Sequence, residues 1–283
     1  MTQTNLSVPR GSVIAVTSGK GGVGKTSVVV NLATALAALG NRVGVIDADF
    51  GLGNVDVLLG LTPTYHVGHL LSGERTLDEI AIPGPQGIRI VPAGTGMRSL
   101  TALTADQWLR FEAALATVAG QFDFLLIDTA TGISDNVVQL LLRAERALIV
   151  TSFEPPAVLG AYTIIKILNG AAPDKPIGVV VNSVRDGDEA GLVFRQLDLA
   201  ASRFLDRDLS DYGFIVYDPA VREAALDQRS IVDYRPQAAA SRCFRLLASR
   251  IAGDGPTRTA GRAPRAASDF ALHAGHREPT RWA

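Results

Sequence analysis

The chain has 283 residues, of which 47% are hydrophobic, and its 27 Lys and Arg against 28 Asp and Glu give a formal net charge of -1. This length suits one large α/β domain or two smaller ones, and the hydrophobic fraction is enough to fill a sizeable core. The balanced charge argues against bulk nucleic-acid binding, which is typical of basic domains, and leaves only a local basic patch open.

Cysteine content and hydropathy exclude two further classes. Cys243 is the single cysteine, so the chain has neither an internal disulfide nor a CxxC motif. No apolar run reaches the roughly 18–20 residues that span a bilayer, and residues 1–10 lack the apolar segment of a secretory signal. We therefore expect a cytoplasmic protein.

Short apolar runs alternate with stretches of helical spacing along most of the chain. In chain order, we predict strands at residues 13–16, 42–46, 88–91, 124–127, 147–151, 177–181 and 214–216. The predicted helices span residues 27–39, 105–118, 135–143, 158–168, 192–205 and 238–251. This alternation predicts right-handed βαβ units and a mostly parallel, doubly wound α/β sheet.

The composition changes near the C-terminus. From residue 253 the chain is rich in Gly, Pro, Ala, Thr and Arg, with little periodicity, which predicts a flexible tail. We divide the chain into an N-terminal arm at 1–11, one folded domain at 12–252 and a tail at 253–283. Because ligands of such sheets bind beyond the carboxyl ends of the strands, the polar residues there should converge. They are Lys20, Asp47, Asp49, Asp128, Glu154 and Asn182.

Residues 19–26 read GKGGVGKT and fit the phosphate-binding pattern G-x-x-x-x-G-K-[ST] between a predicted strand and a predicted helix. Backbone N–H groups and the helix N-terminus favour an anion there. We expect ATP or ADP with Mg²⁺, with Lys25 at the β- and γ-phosphates and the Thr26 hydroxyl on the metal ion. The expected nucleotide contacts in this loop are Gly19, Gly21, Gly22, Val23, Gly24, Lys25, Thr26 and Ser27.

The loop contains a second lysine, Lys20, although the whole chain has only four. Residues 20–26, KGGVGKT, resemble the deviant Walker A motif of the MinD/ParA ATPases. This resemblance implies that Lys20 reaches the phosphates of a nucleotide held by the partner subunit of a homodimer. A second cation there would stabilise the charge-rich transition state and couple ATP to dimerisation. The alternative is a solvated loop lysine.

Three aspartates follow predicted strands. Asp47 and Asp49 would share one side if their strand continued, although such a pair also occurs in simple turns. The resemblance implies that Asp49 orients or activates the attacking water and that Asp47 lies near Mg²⁺ or its waters. Asp128 ends an apolar run, as in a Walker B strand, where the carboxylate holds Mg²⁺ through water. The expected catalytic residues are Lys20, Lys25 and Asp49, and the expected metal residues are Thr26, Asp47 and Asp128.

The resemblance also implies a site for the adenine base. Asn182 matches the asparagine that reads the adenine edge in this family. Its side-chain amide suits that role because it offers both a donor and an acceptor. Residues 213–218, GFIVYD, match the family segment GxIPxD, so Ile215 and Asp218 are expected to line the base. Val216 replaces the usual proline of this segment. In the turn after Asp128, Thr131 stands where relatives often have small residues with a second glycine.

Within the MinD group, residues 47–56, DADFGLGNVD, resemble the FlhG/FleN (YlxH) branch rather than the DPQGN form of partition proteins. A single cysteine argues against the iron–sulfur relatives. The branch implies an ATPase switch that regulates flagellar number, placement or assembly. Its implied partners are an FlhF-like GTPase, a flagellar C-ring component or a transcription activator. Gly160 stands where relatives usually carry Asp near the dimer face, which is expected to weaken or retune dimerisation.

Three alternatives stay open. A partition ATPase would bind DNA through a basic surface, for which Arg195, Arg203 and Arg207 are candidates, but interleaved aspartates make nucleic acid an unfavoured partner. A kinase or synthetase would need a lid, and we find no Arg-rich insert. The C-terminal residues 270–282 carry aromatic and basic groups for peripheral membrane association, but Gly275 and Pro279 interrupt the continuous apolar face that an interfacial helix needs.

Overall fold

The computed structural model describes residues 11–94, 100, 102–118 and 120–253. Over these residues the chain forms one eight-stranded sheet in the order β3-β4-β2-β5-β1-β6-β7-β8. The strands are β1 Ser12–Thr17, β2 Val43–Ala48, β3 Ile82–Pro83, β4 Arg89–Val91, β5 Phe124–Thr129, β6 Arg146–Thr151, β7 Ile177–Val184 and β8 Ser210–Val216. Every pairing is parallel except that of β3 with β4. The predicted doubly wound, mostly parallel sheet is confirmed.

Helices cover both faces of the sheet. They are α1 Lys25–Ala38, α2 Val55–Leu58, α3 Val67–Ser72, α4 Leu77–Ile80, α5 Ala105–Val118, α6 Asp135–Arg143, α7 Pro155–Ala171, α8 Gly187–Leu205, α9 Pro219–Leu226, α10 Ile231–Tyr234 and α11 Ala239–Ala252. Buried residues of α1, α9, α10 and α11 pack in one core cluster, and most of those of α3 to α8 pack in the other, each together with strand residues. Strands covered on both faces read as continuous apolar runs, as β1 and β5 do.

A buried polar contact fixes α1 against α10. The Asn31 side-chain oxygen accepts hydrogen bonds from the Ser230 hydroxyl and the Ile231 N–H, both at 2.8 Å. Both side chains are almost fully buried, and a buried amide is costly unless it is bonded in this way. The contact sets the position of α1, whose first turn carries the phosphate-loop residues.

Several elements differ from the prediction for local reasons. Helix α7 begins at Pro155 rather than at residue 158, because proline is well suited to a first helical position. Helix α8 begins at Gly187 rather than at residue 192, because the Asp186 side chain caps this earlier start by accepting a hydrogen bond from the Glu189 N–H. Strand β3 and helices α2, α3, α4, α9 and α10 were not predicted.

The predicted arm and tail fall almost entirely on residues 1–10 and 254–283, which lie outside the described residues, as does the proposed membrane-binding segment. Within the described part of the chain, no helix has both the length and the hydropathy required to cross a bilayer.

Candidate functional site

The glycine-rich loop joins β1 to α1 at the carboxyl edge of the sheet. Gly22 and Gly24 have φ of 82° and 84°, a left-handed conformation that favours glycine. A Cβ on Gly24 would also lie only 2.5 Å from Asn182 Nδ2. Helix α1 begins at Lys25, so the N–H groups of its first turn face the loop opening without intrahelical partners. This geometry suits a phosphate group.

Lys25 forms a buried ion pair with Asp128 at the end of β5. The two side chains are 6% and 1% exposed, and the Lys25 Nζ donates to Asp128 Oδ1. Burial raises the pKa of Asp128, whereas the Lys25 charge and hydrogen bonds from Lys25 and Thr26 act in the opposite direction. A buried charge needs such a partner, so the pair is electrostatically matched.

The oxygens around Asp128 fit a magnesium ion. Asp128 Oδ2 is buried and has no hydrogen-bond partner among the described residues, and the Ser18 hydroxyl beside the loop is in the same situation. Thr26 adds a hydroxyl oxygen next to Asp128. The described residues contain no group of three or more His, Cys, Asp and Glu that could hold a metal. Mg²⁺ often binds one or two carboxylates and takes its other ligands from water and phosphate, so this donor set is sufficient.

Asp47 lies beside Asp128, its register partner on β5, and is fully buried. Its Oδ1 accepts the Asp49 N–H at 3.1 Å, and its Oδ2 accepts the Val55 N–H at 3.0 Å. Burial, followed by the neighbouring Asp128 charge, raises the pKa of Asp47 to about 7. Both oxygens of this predicted metal residue are therefore engaged by the backbone of the loop that follows β2.

A cavity of about 660 Å³ opens in front of the glycine-rich loop, within the usual size range of ligand pockets. Its lining residues are Ser18, Gly22, Val23, Gly24, Lys25, Thr26, Ser27, Asp49, Asn54, Val57, Leu58, Thr131, Ala225, Leu226 and Gln228. Of the predicted catalytic residues, Lys25 and Asp49 share this cavity. Thr131, in the turn after β5, also lines it. The arrangement places a cation, a hydroxyl and a carboxylate on the wall of one cavity.

Lys20 does not line the cavity. Its side chain is 39% exposed and pairs with Glu154, the residue before α7. Next to it, Gly19 packs directly on Gly160 of α7, since a Cβ on Gly19 would lie 2.1 Å from the Gly160 carbonyl carbon. The Gly132 N–H also donates to the Ser18 carbonyl at 2.9 Å. The start of the loop is thus held against α7 and the turn after β5.

The three predicted base residues stand apart from the cavity lining. Asn182 donates its amide N–H to the Val23 carbonyl at 2.7 Å and so supports the loop. Ile215 is 2% exposed and belongs to the core. Asp218 accepts hydrogen bonds from the Ala220 N–H at 3.0 Å and the Ala240 N–H at 3.2 Å, which caps α9 and ties it to α11.

Sequence reasoning missed the outer wall of the cavity. Helix α2 and the end of α9 form this wall, and the Gln228 side-chain N–H donates to the Val57 carbonyl at 3.2 Å. A signal for α9 was present, because Asp218 followed by Pro219 is a typical N-cap and first helical residue. Helix α2 has only four residues, too few for helical periodicity, although Asn54 before it is a favoured N-cap residue type.

Of the three arginines considered for a basic surface, Arg207 is turned into the protein. Its guanidinium donates to the carbonyls of Ala172 and Lys175 and to Asn169 Oδ1, and its side chain is 8% exposed. Burial also lowers the pKa of Arg207. Arg207 therefore supports the turn between α7 and β7 and is not presented to a polyanion.

Comparison with known proteins places this chain in a family. The family described as "AAA domain" matches residues 11–174. The chain is 42% identical over 239 residues to the antiactivator FleN of Pseudomonas aeruginosa, covering 84% of this chain and 85% of that protein. It is 35% identical over 188 residues to the flagellum site-determining protein YlxH of Helicobacter pylori, covering 65% of this chain and 62% of that one.

Solved structures of MinD proteins agree with the family match and the sequence relatives. The cell division ATPase MinD of Pyrococcus furiosus superposes with a TM-score of 0.70 at 25% identity, over 84% of this chain and 97% of that one. MinD of Aquifex aeolicus, solved in a MinC:MinD complex, gives 0.70 at 26% identity, over 86% and 97%. MinD of Pyrococcus horikoshii, solved with Mg-ADP, gives 0.67 at 26% identity, over 86% and 97%. Family match, relatives and fold together show that the chain belongs to the MinD/ParA family of P-loop ATPases, in the branch that contains FleN and YlxH.

Proposed function

We propose that the protein is an ATP-dependent dimerising switch that regulates flagellar number, placement or assembly by binding a partner in only one nucleotide state. The observation that carries this proposal is the 42% identity to the antiactivator FleN across 84% of the chain. The likeness to YlxH, whose name describes a flagellum site-determining protein, supports the same direction.

We infer that the cavity takes ATP or ADP with Mg²⁺. The Thr26 hydroxyl and Asp128 would hold the ion, which would neutralise phosphate charge, and Asp47 stands beside Asp128. Lys25 would exchange part of its contact with Asp128 for the β- and γ-phosphates. Asp49, on the same cavity wall, would orient the attacking water. Asn182, Ile215 and Asp218 remain the proposed base side of this site, although they lie outside the present cavity lining.

We assign Lys20 to the nucleotide of a second subunit. In the single chain Lys20 pairs with Glu154, and both side chains are substantially exposed, at 39% and 61%. Such an exposed pair is worth about 0–1 kcal/mol, so it gives way easily to phosphates of higher charge. The pair would therefore hold Lys20 near the dimer face without locking it there.

Among the partners that the family suggests, a transcription activator is the first to test, because FleN is named an antiactivator. An FlhF-like GTPase and a flagellar C-ring component are the next two. A DNA-partition role is not favoured, because Arg207 of the candidate basic surface is engaged inside the protein. Peripheral membrane association would depend on the C-terminal segment.

Light scattering with ATP and Mg²⁺ tests the switch. We expect Asp49→Ala to form a stable dimer, because it would hold ATP without hydrolysing it, and Lys20→Ala to stay monomeric. Lys166→Ala is the matched control, since it removes an exposed lysine from α7 and should dimerise normally. If wild type and Asp49→Ala remain monomeric in every nucleotide state, the switch is wrong.

Complementation tests the biological role. Expression in Pseudomonas aeruginosa that lacks FleN should restore the flagellar number of the parent strain, as counted by electron microscopy. Lys25→Ala should not restore it, because the nucleotide site is lost. If the well-expressed wild-type chain leaves the flagellar number of the strain that lacks FleN unchanged, the proposed flagellar role is contradicted.

A further inference from the structure

The loop between β2 and α2, residues 49–54, is closed by one buried side chain. Asp47 contributes both carboxylate oxygens: one accepts the Asp49 N–H at 3.1 Å and the other accepts the Val55 N–H at 3.0 Å. These two N–H groups stand at the beginning of the loop and directly after its end. A single carboxylate therefore joins the two ends of the segment that carries Asp49.

Packing inside the loop follows the same acid. Gly53 is buried, and a Cβ there would lie 2.8 Å from Asp47 Oδ2 and 2.2 Å from the Ala93 Cβ. Val55 is also fully buried, whereas Leu52 at the loop tip is 71% exposed. The base of the loop is thus close-packed around Asp47, and its tip is exposed to solvent.

Only a carboxylate satisfies both N–H groups at this position. An ionised Asp offers two acceptor oxygens, whereas an Asn of the same shape offers one acceptor and one donor, and the donor would face an N–H group. Hydrogen bonds to an ionised acceptor are also stronger than neutral ones. Because Asp47 is fully buried, water cannot replace a lost bond.

We propose that Asp47 is a positioning residue for ATP hydrolysis, which holds the 49–54 loop so that Asp49 and Asn54 stay on the cavity wall. This role is separate from binding Mg²⁺ or its waters, because it acts through the backbone N–H groups of the loop. It rests on the proposed function only in taking Asp49 as the residue that orients water.

Hydrogen–deuterium exchange of the nucleotide-free full chain at pH 8, where the Asp47 carboxyl is ionised, tests the contact directly. In Asp47→Asn, the amides of Asp49 and Val55 should exchange on the order of 5- to 100-fold faster, because each bond is lost or weakened. Asp123→Asn is the matched control: Asp123 also accepts a backbone N–H, from Arg42 at 2.8 Å, but precedes β5 at the opposite edge of the sheet. Its exchange effect should be confined to Arg42.

Gly53→Ala provides a second route if Asp47→Asn folds poorly. The added Cβ pushes against Asp47 and Ala93 without removing any charge, so the same two amides should lose protection. Equal protection of Asp49 and Val55 in wild type, Asp47→Asn and Gly53→Ala would overturn the proposal.

Steady-state kinetics separate positioning from metal binding. For Asp47→Asn we expect kcat to fall on the order of 10- to 100-fold with little change in KM for ATP, and excess Mg²⁺ should not restore it. Recovery of kcat at high Mg²⁺ would assign Asp47 to the metal and overturn the proposal. Exchange is measured without nucleotide, so its result stands whether or not the dimerisation assay supports the switch.

Discussion

Replacing Gly160 by alanine should loosen the phosphate loop from α7. A Cβ at residue 160 would lie 2.8 Å from the Gly19 carbonyl carbon and 2.9 Å from its Cα and oxygen. These are backbone atoms, which cannot rotate away as a side chain can, so either α7 or the loop must shift. An aspartate at this position would have the same Cβ and would meet the same backbone atoms of Gly19.

The magnitude follows from two opposing terms. Alanine gains about 0.8–1 kcal/mol over glycine within a helix, whereas overpacking typically costs about 1–3 kcal/mol. Gly170→Ala is the matched control on the same helix, because a Cβ there meets nothing within 4 Å. The difference in free energy of unfolding between the two variants should therefore be about 1–3 kcal/mol in favour of Gly170→Ala.

Urea unfolding with equal m-values measures this difference, and binding of a fluorescent ADP analogue measures its effect on the site. We expect Gly160→Ala to be the less stable variant. It should also bind the analogue more weakly, because relief of the clash by the loop displaces residues 18–20. Equal stability of Gly160→Ala and Gly170→Ala, with unchanged nucleotide affinity, would refute the reasoning from the glycine contact.

Three further predictions follow from buried charges. Lys25→Ala should abolish ATP binding in a filter assay. It should also lower the free energy of unfolding by about 3–5 kcal/mol at pH 8, because Asp128 is left buried without its cation. A smaller loss of unfolding free energy at pH 8 than at pH 5 would contradict this. Burial raises the pKa of Asp47 from 3.8 to about 7 in the folded state, so the nucleotide-free protein binds more protons folded than unfolded between these values. Its free energy of unfolding should therefore fall as the pH rises through that window, and urea titrations of Asp47→Asn should show a flatter profile. Arg207→Ala should lower the free energy of unfolding by about 1–3 kcal/mol, because the carbonyls that it contacts lose their donor. Retention of the protein on a DNA column should not change. A salt-sensitive loss of retention would support the partition role instead.

The main strands could be predicted because a parallel sheet buried on both faces requires apolar runs, and β1, β2 and β5 each provide one. Strand β3 could not, since Ile82–Pro83 has only two residues and no periodicity. Helix α4 was also not predicted, because its four residues are too few to show helical periodicity. Thr76 and Glu79 nevertheless form a capping box that marks its start.

The contiguous half of the site could be predicted, and the distant half could not. Residues 19–26 carry their own motif, whereas the contact of Val57 with Gln228 joins residues 171 positions apart and depends on tertiary packing. Asp47 and Asp49 look equivalent in the sequence. They differ in the structure because β2 ends at Ala48, so the alternation stops and only Asp49 lines the cavity.

The contact between Gly19 and Gly160 has no side chain on either part, so it lacks the compliant layer that usually separates a loop from a helix. A displacement of the loop therefore acts directly on the backbone of α7, and a displacement of α7 acts directly on the loop. Binding affinities obey the same symmetry. If a protein bound to α7 changed the affinity for nucleotide, nucleotide would change the affinity for that protein by the same factor. Gly160 therefore leaves α7 and the phosphate loop in direct backbone contact, with no side chain between them to absorb a shift.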